Sequence, residues 1–91
     1  MRRNRLDICV DILEVSVGGA NKTSVVVKSN LNFEIIKEYL NTLISSNFLT
    51  IDENGRYSTT NKGLKFIEDY YTLIESMNHK TPAGLSRNSP T

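Results

Sequence analysis

Ninety-one residues, 38% hydrophobic and 23% charged, suit one soluble domain, because a chain of this size buries only about 60 to 65% of its unfolded surface and has no room for a second core. Eleven Lys+Arg against ten Asp+Glu leave a formal +1, so net charge selects no partner. A single cysteine, a single histidine and the lack of an apolar run near the roughly 20 residues of a membrane span exclude a disulfide framework, a histidine metal cluster and a membrane anchor, leaving a cytoplasmic protein without cofactor as the expectation.

The first five residues carry Arg2, Arg3 and Arg5 and form a basic arm (1–5). From Leu6 the apolar positions Leu6, Cys9, Val10, Leu13 and Val17 follow helical spacing, with Ile8, Ile12 and Val15 filling the adjacent stripe. This predicts a helix with a wide buried face, ended by Gly18-Gly19, since glycine takes the left-handed C-terminal conformation at no steric cost. Cys9 lies on the apolar face and reads as a small core residue.

Residues 23–29, Thr-Ser-Val-Val-Val-Lys-Ser, fit either a strand by valine propensity or a two-turn helix by length. After Asn30-Leu31-Asn32, the spacing of Phe33, Ile36, Leu40, Leu43 and Ile44 predicts an amphipathic helix from Asn32 to about Ser46. Asn32 is its expected N-cap, with Leu31 and Ile36 placed to form a hydrophobic staple. If 23–29 is helical, the two segments make a helix-turn-helix. Asn54-Gly55 between the runs 48–53 and 56–59 then predicts a hairpin with a two-residue type I′ turn, in which both central residues take positive φ. A hairpin directly after a helix-turn-helix is a wing.

Thr60 is expected to cap a last helix, 61–78, with two apolar stripes: Leu64, Ile67, Tyr71, Ile74 and Phe66, Tyr70, Leu73, Met77. Each alternates spacings of 3 and 4, the seam pattern of a coiled coil. One stripe serves the domain's own core. The second (Phe66, Tyr70, Leu73, Met77) is read as a homodimer interface, the alternative being a helix wrapped on both sides within one chain. Residues 79–91 are too poor in apolar side chains for a core and read as a disordered basic tail holding a solvated His79.

The strings Gly19-Ala20-Asn21-Lys22-Thr23, Asn30-Leu31-Asn32-Phe33, Phe48-Leu49 and the run Tyr57 to Gly63 resemble the small archaeal winged-helix family, over about residues 4–77. One branch of that family includes an abundant chromatin protein that dimerises through an antiparallel coiled coil. The resemblance implies an α+β winged helix-turn-helix over 6–60, with 23–29 helical and a long C-terminal dimerisation helix. It also implies binding of double-stranded DNA with the second helix of the motif in the major groove and the wing near the backbone.

Turning that helix by about 100° per residue exposes Glu34, Lys37, Glu38, Asn41, Thr42 and Ser45, a face of net charge −1. Glu34, Asn41 and Thr42 are chemically able to read base edges. The cations available for phosphate are Arg2, Arg3, Arg5, Lys22, Lys28, Lys37, Arg56 and Lys62. For a DNA surface, Lys22, Lys28, Lys37 and Arg56 have to converge. Asp52 and Glu53 make the wing acidic, unlike a nonspecific DNA coat, so a dimeric transcriptional regulator is the primary reading. A winged-helix protein-interaction module with little DNA affinity is the alternative. Nothing supports an enzyme: the chain has no phosphate loop, no metal-ligand spacing and no nucleophile near a base.

Overall fold

Asn4, Asn21 and Asn32 each open a helix in the computed structural model, which describes residues 4–78. Their side chains accept the N–H of Asp7, Ser24 and Ile35, satisfying one otherwise orphaned donor per helix. The helices are α1 (Arg5–Ser16), α2 (Lys22–Ser29) and α3 (Phe33–Ser45), followed by strands β1 (Leu49–Ile51) and β2 (Tyr57–Thr59) and a long α4 (Asn61–Asn78). Residues 23–29 are therefore helix, the conformation implied by the family resemblance. Gly18, with φ +81°, follows the C-cap Val17 and ends α1 as expected. The arginines Arg2 and Arg3 and the tail 79–91 with His79 lie outside the described residues.

The core forms where α1, α2, α3 and the hairpin meet. Ile12, Leu13, Val25, Ile36, Leu40, Leu43, Leu49 and Tyr57 are buried there together with Ala20, each large apolar side chain contributing about 1.5 to 3 kcal/mol by leaving water. On α1 the buried centre is Ile12 and Leu13, while Leu6 and Val17 at the ends of the predicted stripe are half-exposed. The Ser16 hydroxyl is buried as well, and donates to the Ile12 carbonyl at 2.9 Å.

The hairpin pairs Leu49 with Thr59, Thr50 with Ser58 and Ile51 with Tyr57. Tyr57 turns its backbone the other way, exchanging hydrogen bonds of 2.7 and 2.9 Å with Ala20. That bridge fastens the α1–α2 junction to the wing. The turn differs from the expected one: Gly55 has φ +81° but Asn54 does not have positive φ. Gly55 N–H donates to the Asp52 carbonyl and Asp52 N–H to the Arg56 carbonyl, so the loop has three residues with glycine at the left-handed position. The Asp52 carboxylate selects this form by accepting the N–H groups of Asn54 and Arg56.

Two devices aim α4. The Thr60 hydroxyl accepts Gly63 N–H at 3.0 Å and donates to the Asn47 carbonyl at 2.7 Å, so it caps α4 and ties it to the end of α3. Gly63 lies so close to the wing that a Cβ there would sit 2.3 Å from the Phe48 carbonyl oxygen.

Candidate nucleic-acid interface

All six residues expected on the outer face of α3 are exposed: Glu34, Lys37, Glu38, Asn41, Thr42 and Ser45. This polar ridge runs between two cationic flanks. On one, Lys22 from α2 and Lys37 from α3 converge on the Phe33 ring, with ammonium groups 4.8 and 5.8 Å from its centroid. On the other, the Arg5 guanidinium stands 5.5 Å over the Tyr39 ring and shares a small pocket of about 60 Å³ with Glu38, Tyr39 and Thr42. Lys37 also approaches Glu34 at 3.7 Å. Both side chains are exposed, so this ion pair is worth about 0 to 1 kcal/mol.

The remaining predicted cations do not all join that surface. Arg56 rests its guanidinium on Gly19, where an added Cβ would meet Nη2 at 3.0 Å. Lys62 donates to the Ser46 carbonyl at 2.9 Å and covers the Phe48 ring at 4.7 Å, which engages it at the end of α3. Lys28 is exposed in the last turn of α2, about 120° around that helix from Lys22. Of the four cations required to converge, Lys22 and Lys37 meet at Phe33, and Lys28 and Arg56 lie elsewhere.

On α4 the two predicted stripes do not divide into core and outside. Gly63, Phe66, Ile67, Tyr70 and Ile74 are buried or half-buried, and this seam takes members from both stripes. Phe66 meets Phe48 edge to face at 4.9 Å. Tyr70 donates its hydroxyl to Asp7, and Tyr71 donates to Glu14 at 2.7 Å. These bonds to carboxylates raise both phenol pKa values, that of Tyr70 to about 12. Phe66 and Tyr70, expected to serve a dimer alone, are thus partly used within one chain, Phe66 against Phe48 beside the wing and Tyr70 against Asp7 of α1. Leu73 and Met77 remain exposed, at 53% and 63%. Leu6, Phe66, Tyr70 and Leu73, with Asp69, line a shallow groove of about 210 Å³.

Comparison with known proteins fixes the family. The winged helix-turn-helix family matches residues 2–78. The chain belongs to the winged helix-turn-helix family. Its fold is also similar to the crystal structure of Sso10a-2, a DNA-binding protein from Sulfolobus solfataricus, with a TM-score of 0.71 and 28% identity over 84% of this chain and 86% of that one. The likeness to small archaeal winged-helix proteins read from Gly19-Ala20-Asn21-Lys22-Thr23 and the run to Gly63 rests on these matches. No curated protein matches the chain.

Within this winged helix-turn-helix, sequence reasoning missed Phe33, Ile35 and Tyr39. Phe33 reads as core by spacing, yet it is 39% exposed, and Ile35 is 41% exposed. Only the Phe33–Lys37 contact had a readable signal, the i, i+4 spacing on one helix. Cys9 is half-buried beside the core, and burial pushes its thiol pKa up against the opposing effect of Arg5, so it is held as the thiol. Among the described residues, no group of His, Cys, Asp and Glu is arranged to hold a metal, and no helix is long and apolar enough to cross a membrane.

Proposed function

We propose that this winged helix binds duplex DNA as a homodimer and regulates transcription at a defined site. The observation that carries the reading is the α3 ridge between its two cationic flanks. A helix in the major groove meets base edges along its centre and phosphates on either side. In this reading Glu34, Asn41 and Thr42 face bases, Lys22 and Lys37 take phosphates on one strand, and Arg5 with the arm residues Arg2 and Arg3 takes the other. Lys28, Arg56 and Lys62 make outer backbone contacts, Lys62 by leaving the Ser46 carbonyl. The DNA-binding character of Sso10a-2, a structure similar over most of both chains, supports the same reading.

The second copy docks on α4, where Phe66, Tyr70, Leu73 and Met77, with Leu6 of α1 beside them, offer apolar surface along a helix of 18 residues, about 27 Å long. Selection of bound duplexes from a random pool tests the proposal. A twofold-symmetric enriched motif supports it, and recovery of an unenriched pool contradicts a defined site. Two observations favour the protein-interaction alternative: of the four cations that have to converge only Lys22 and Lys37 meet, and Glu34 and Glu38 stand on the ridge against Lys37 alone. A module of that kind enriches no sequence and stays unbound on any duplex.

A further inference from the structure

We infer that Phe33 is a positioning residue that gathers Lys22 and Lys37 into a binding site for the DNA backbone phosphate, with Glu34 as the counter-ion the phosphate displaces. This rests on the DNA-binding reading above, which gives Lys22 and Lys37 to phosphate, and adds the residue that holds the two together. Phe33 occupies the first position of α3, and its ring is 39% exposed where spacing calls for burial. Two ammonium groups from different helices lie within 4.8 and 5.8 Å of its centroid. The negative face of the ring attracts each cation, which offsets the repulsion of bringing two like charges onto one side chain.

Among the described residues the carboxylate beside this pair is Glu34, 3.7 Å from Lys37 and 79% exposed at its side chain. A contact that long and that exposed holds Lys37 loosely. A DNA phosphodiester carries the same single charge as Glu34 but belongs to a dense polyanion, whose summed field and released counterions draw Lys37 away from that exposed carboxylate. Glu34 is then released toward the groove, where a carboxylate can accept from a cytosine amino group. The ring thus limits the freedom of two long side chains before DNA arrives, which lowers the entropy lost on binding.

The test is a double-mutant cycle in duplex affinity, read by fluorescence anisotropy with the full chain at fixed low salt. Phe33→Leu keeps apolar bulk and removes the aromatic face; it weakens binding about five- to tenfold. Phe33→Tyr keeps the ring and the affinity, which separates positioning from folding. In a chain carrying Lys22→Met and Lys37→Met, Phe33→Leu costs less than about twofold, since the ring then has nothing to position. Glu34→Gln raises affinity for mixed-sequence duplex by about two- to threefold, the size of a released exposed ion pair. An equal cost of Phe33→Leu in both backgrounds, or no cost in either, overturns the phosphate site while DNA binding stands. A wild-type chain that binds no duplex overturns both.

Discussion

The Tyr70 hydroxyl donates to the Asp7 carboxylate, joining the middle of α4 to the first turn of α1 across 63 residues of sequence. The same carboxylate accepts Asn4 N–H at 3.1 Å and so completes the capping box of α1. One side chain therefore starts a helix and aims another. Tyr71, the next residue of α4, donates to Glu14 about two turns further along α1. The direction of α4 relative to α3 is set by these two bonds, by the Thr60 tie to the Asn47 carbonyl and by the close approach at Gly63.

Tyr70 sets a pH dependence at the alkaline end. Its pKa lies at about 12 in the folded chain against an ordinary value of 10.0, first because the hydroxyl donates to Asp7. The unfolded chain loses this proton earlier, so the contribution to stability is complete below about pH 10 and is lost as pH rises through about 12. Tyr70→Phe is expected to cost about 1 kcal/mol at neutral pH, because the bond is only part-buried, and to flatten the decline between those values. Urea unfolding of both chains across that range checks it.

Gly63→Ala is expected to destabilise the fold by about 3 kcal/mol, near the upper end for overpacking. The added methyl group meets the Phe48 carbonyl oxygen at 2.3 Å and the Thr59 methyl at 2.6 Å. Backbone cannot yield as a flexible side chain does, so α4 must lift from the wing. Thermal unfolding gives the stability change, and weaker protection of the α4 backbone amides in hydrogen exchange shows the lift.

Asn32→Ala removes the acceptor for Ile35 N–H, a bond of 2.9 Å at the start of α3. The expected loss is about 1 kcal/mol. Asn32→Ser keeps an oxygen and restores most of it. Equal stability of the alanine and serine chains in denaturant titration contradicts the capping role.

Helices α1, α3 and α4 were legible because their signals are local, whereas the valines of α2 fit a strand as well and the caps Asn4 and Asn21 went unread. Asn32 before an apolar run and Thr60 before another name their own hydrogen bonds, and Gly18 marks the end of α1. The turn was misread because Asn54-Gly55 predicts a two-residue loop, while Asp52, two positions upstream, holds the loop at three residues. The α4 seam was misread for a tertiary reason. Coiled-coil spacing cannot show that α1 supplies Asp7 and Glu14 to catch tyrosines of both stripes. On the interface, helical rotation found the exposed ridge of α3 correctly. The meeting of Lys22 with Phe33 depends on how α2 crosses α3, which no spacing within either segment encodes.

The α4 surface predicts an association that single charges disrupt. Leu73→Asp and Met77→Asp place carboxylates on residues that are 53% and 63% exposed in one chain, so the fold keeps its stability. The proposed dimer does not, because a buried, unpaired charge costs far more than an exposed one. Sedimentation at micromolar concentration is expected to give a dimer for the wild type and a monomer for the doubly substituted chain. A monomeric wild type contradicts the pairing.

DNA binding itself is tested most directly by fluorescence anisotropy with labelled mixed-sequence and genomic duplexes over a salt series. With Lys22, Lys37 and Arg5 of each protomer neutralising about four to six phosphates per dimer, and the arm and outer cations adding little, saturable binding is expected, with log K falling against log[salt] at a slope of roughly −4 to −5. Lys28→Glu with Lys37→Glu weakens it strongly. A flat titration at low salt contradicts the account.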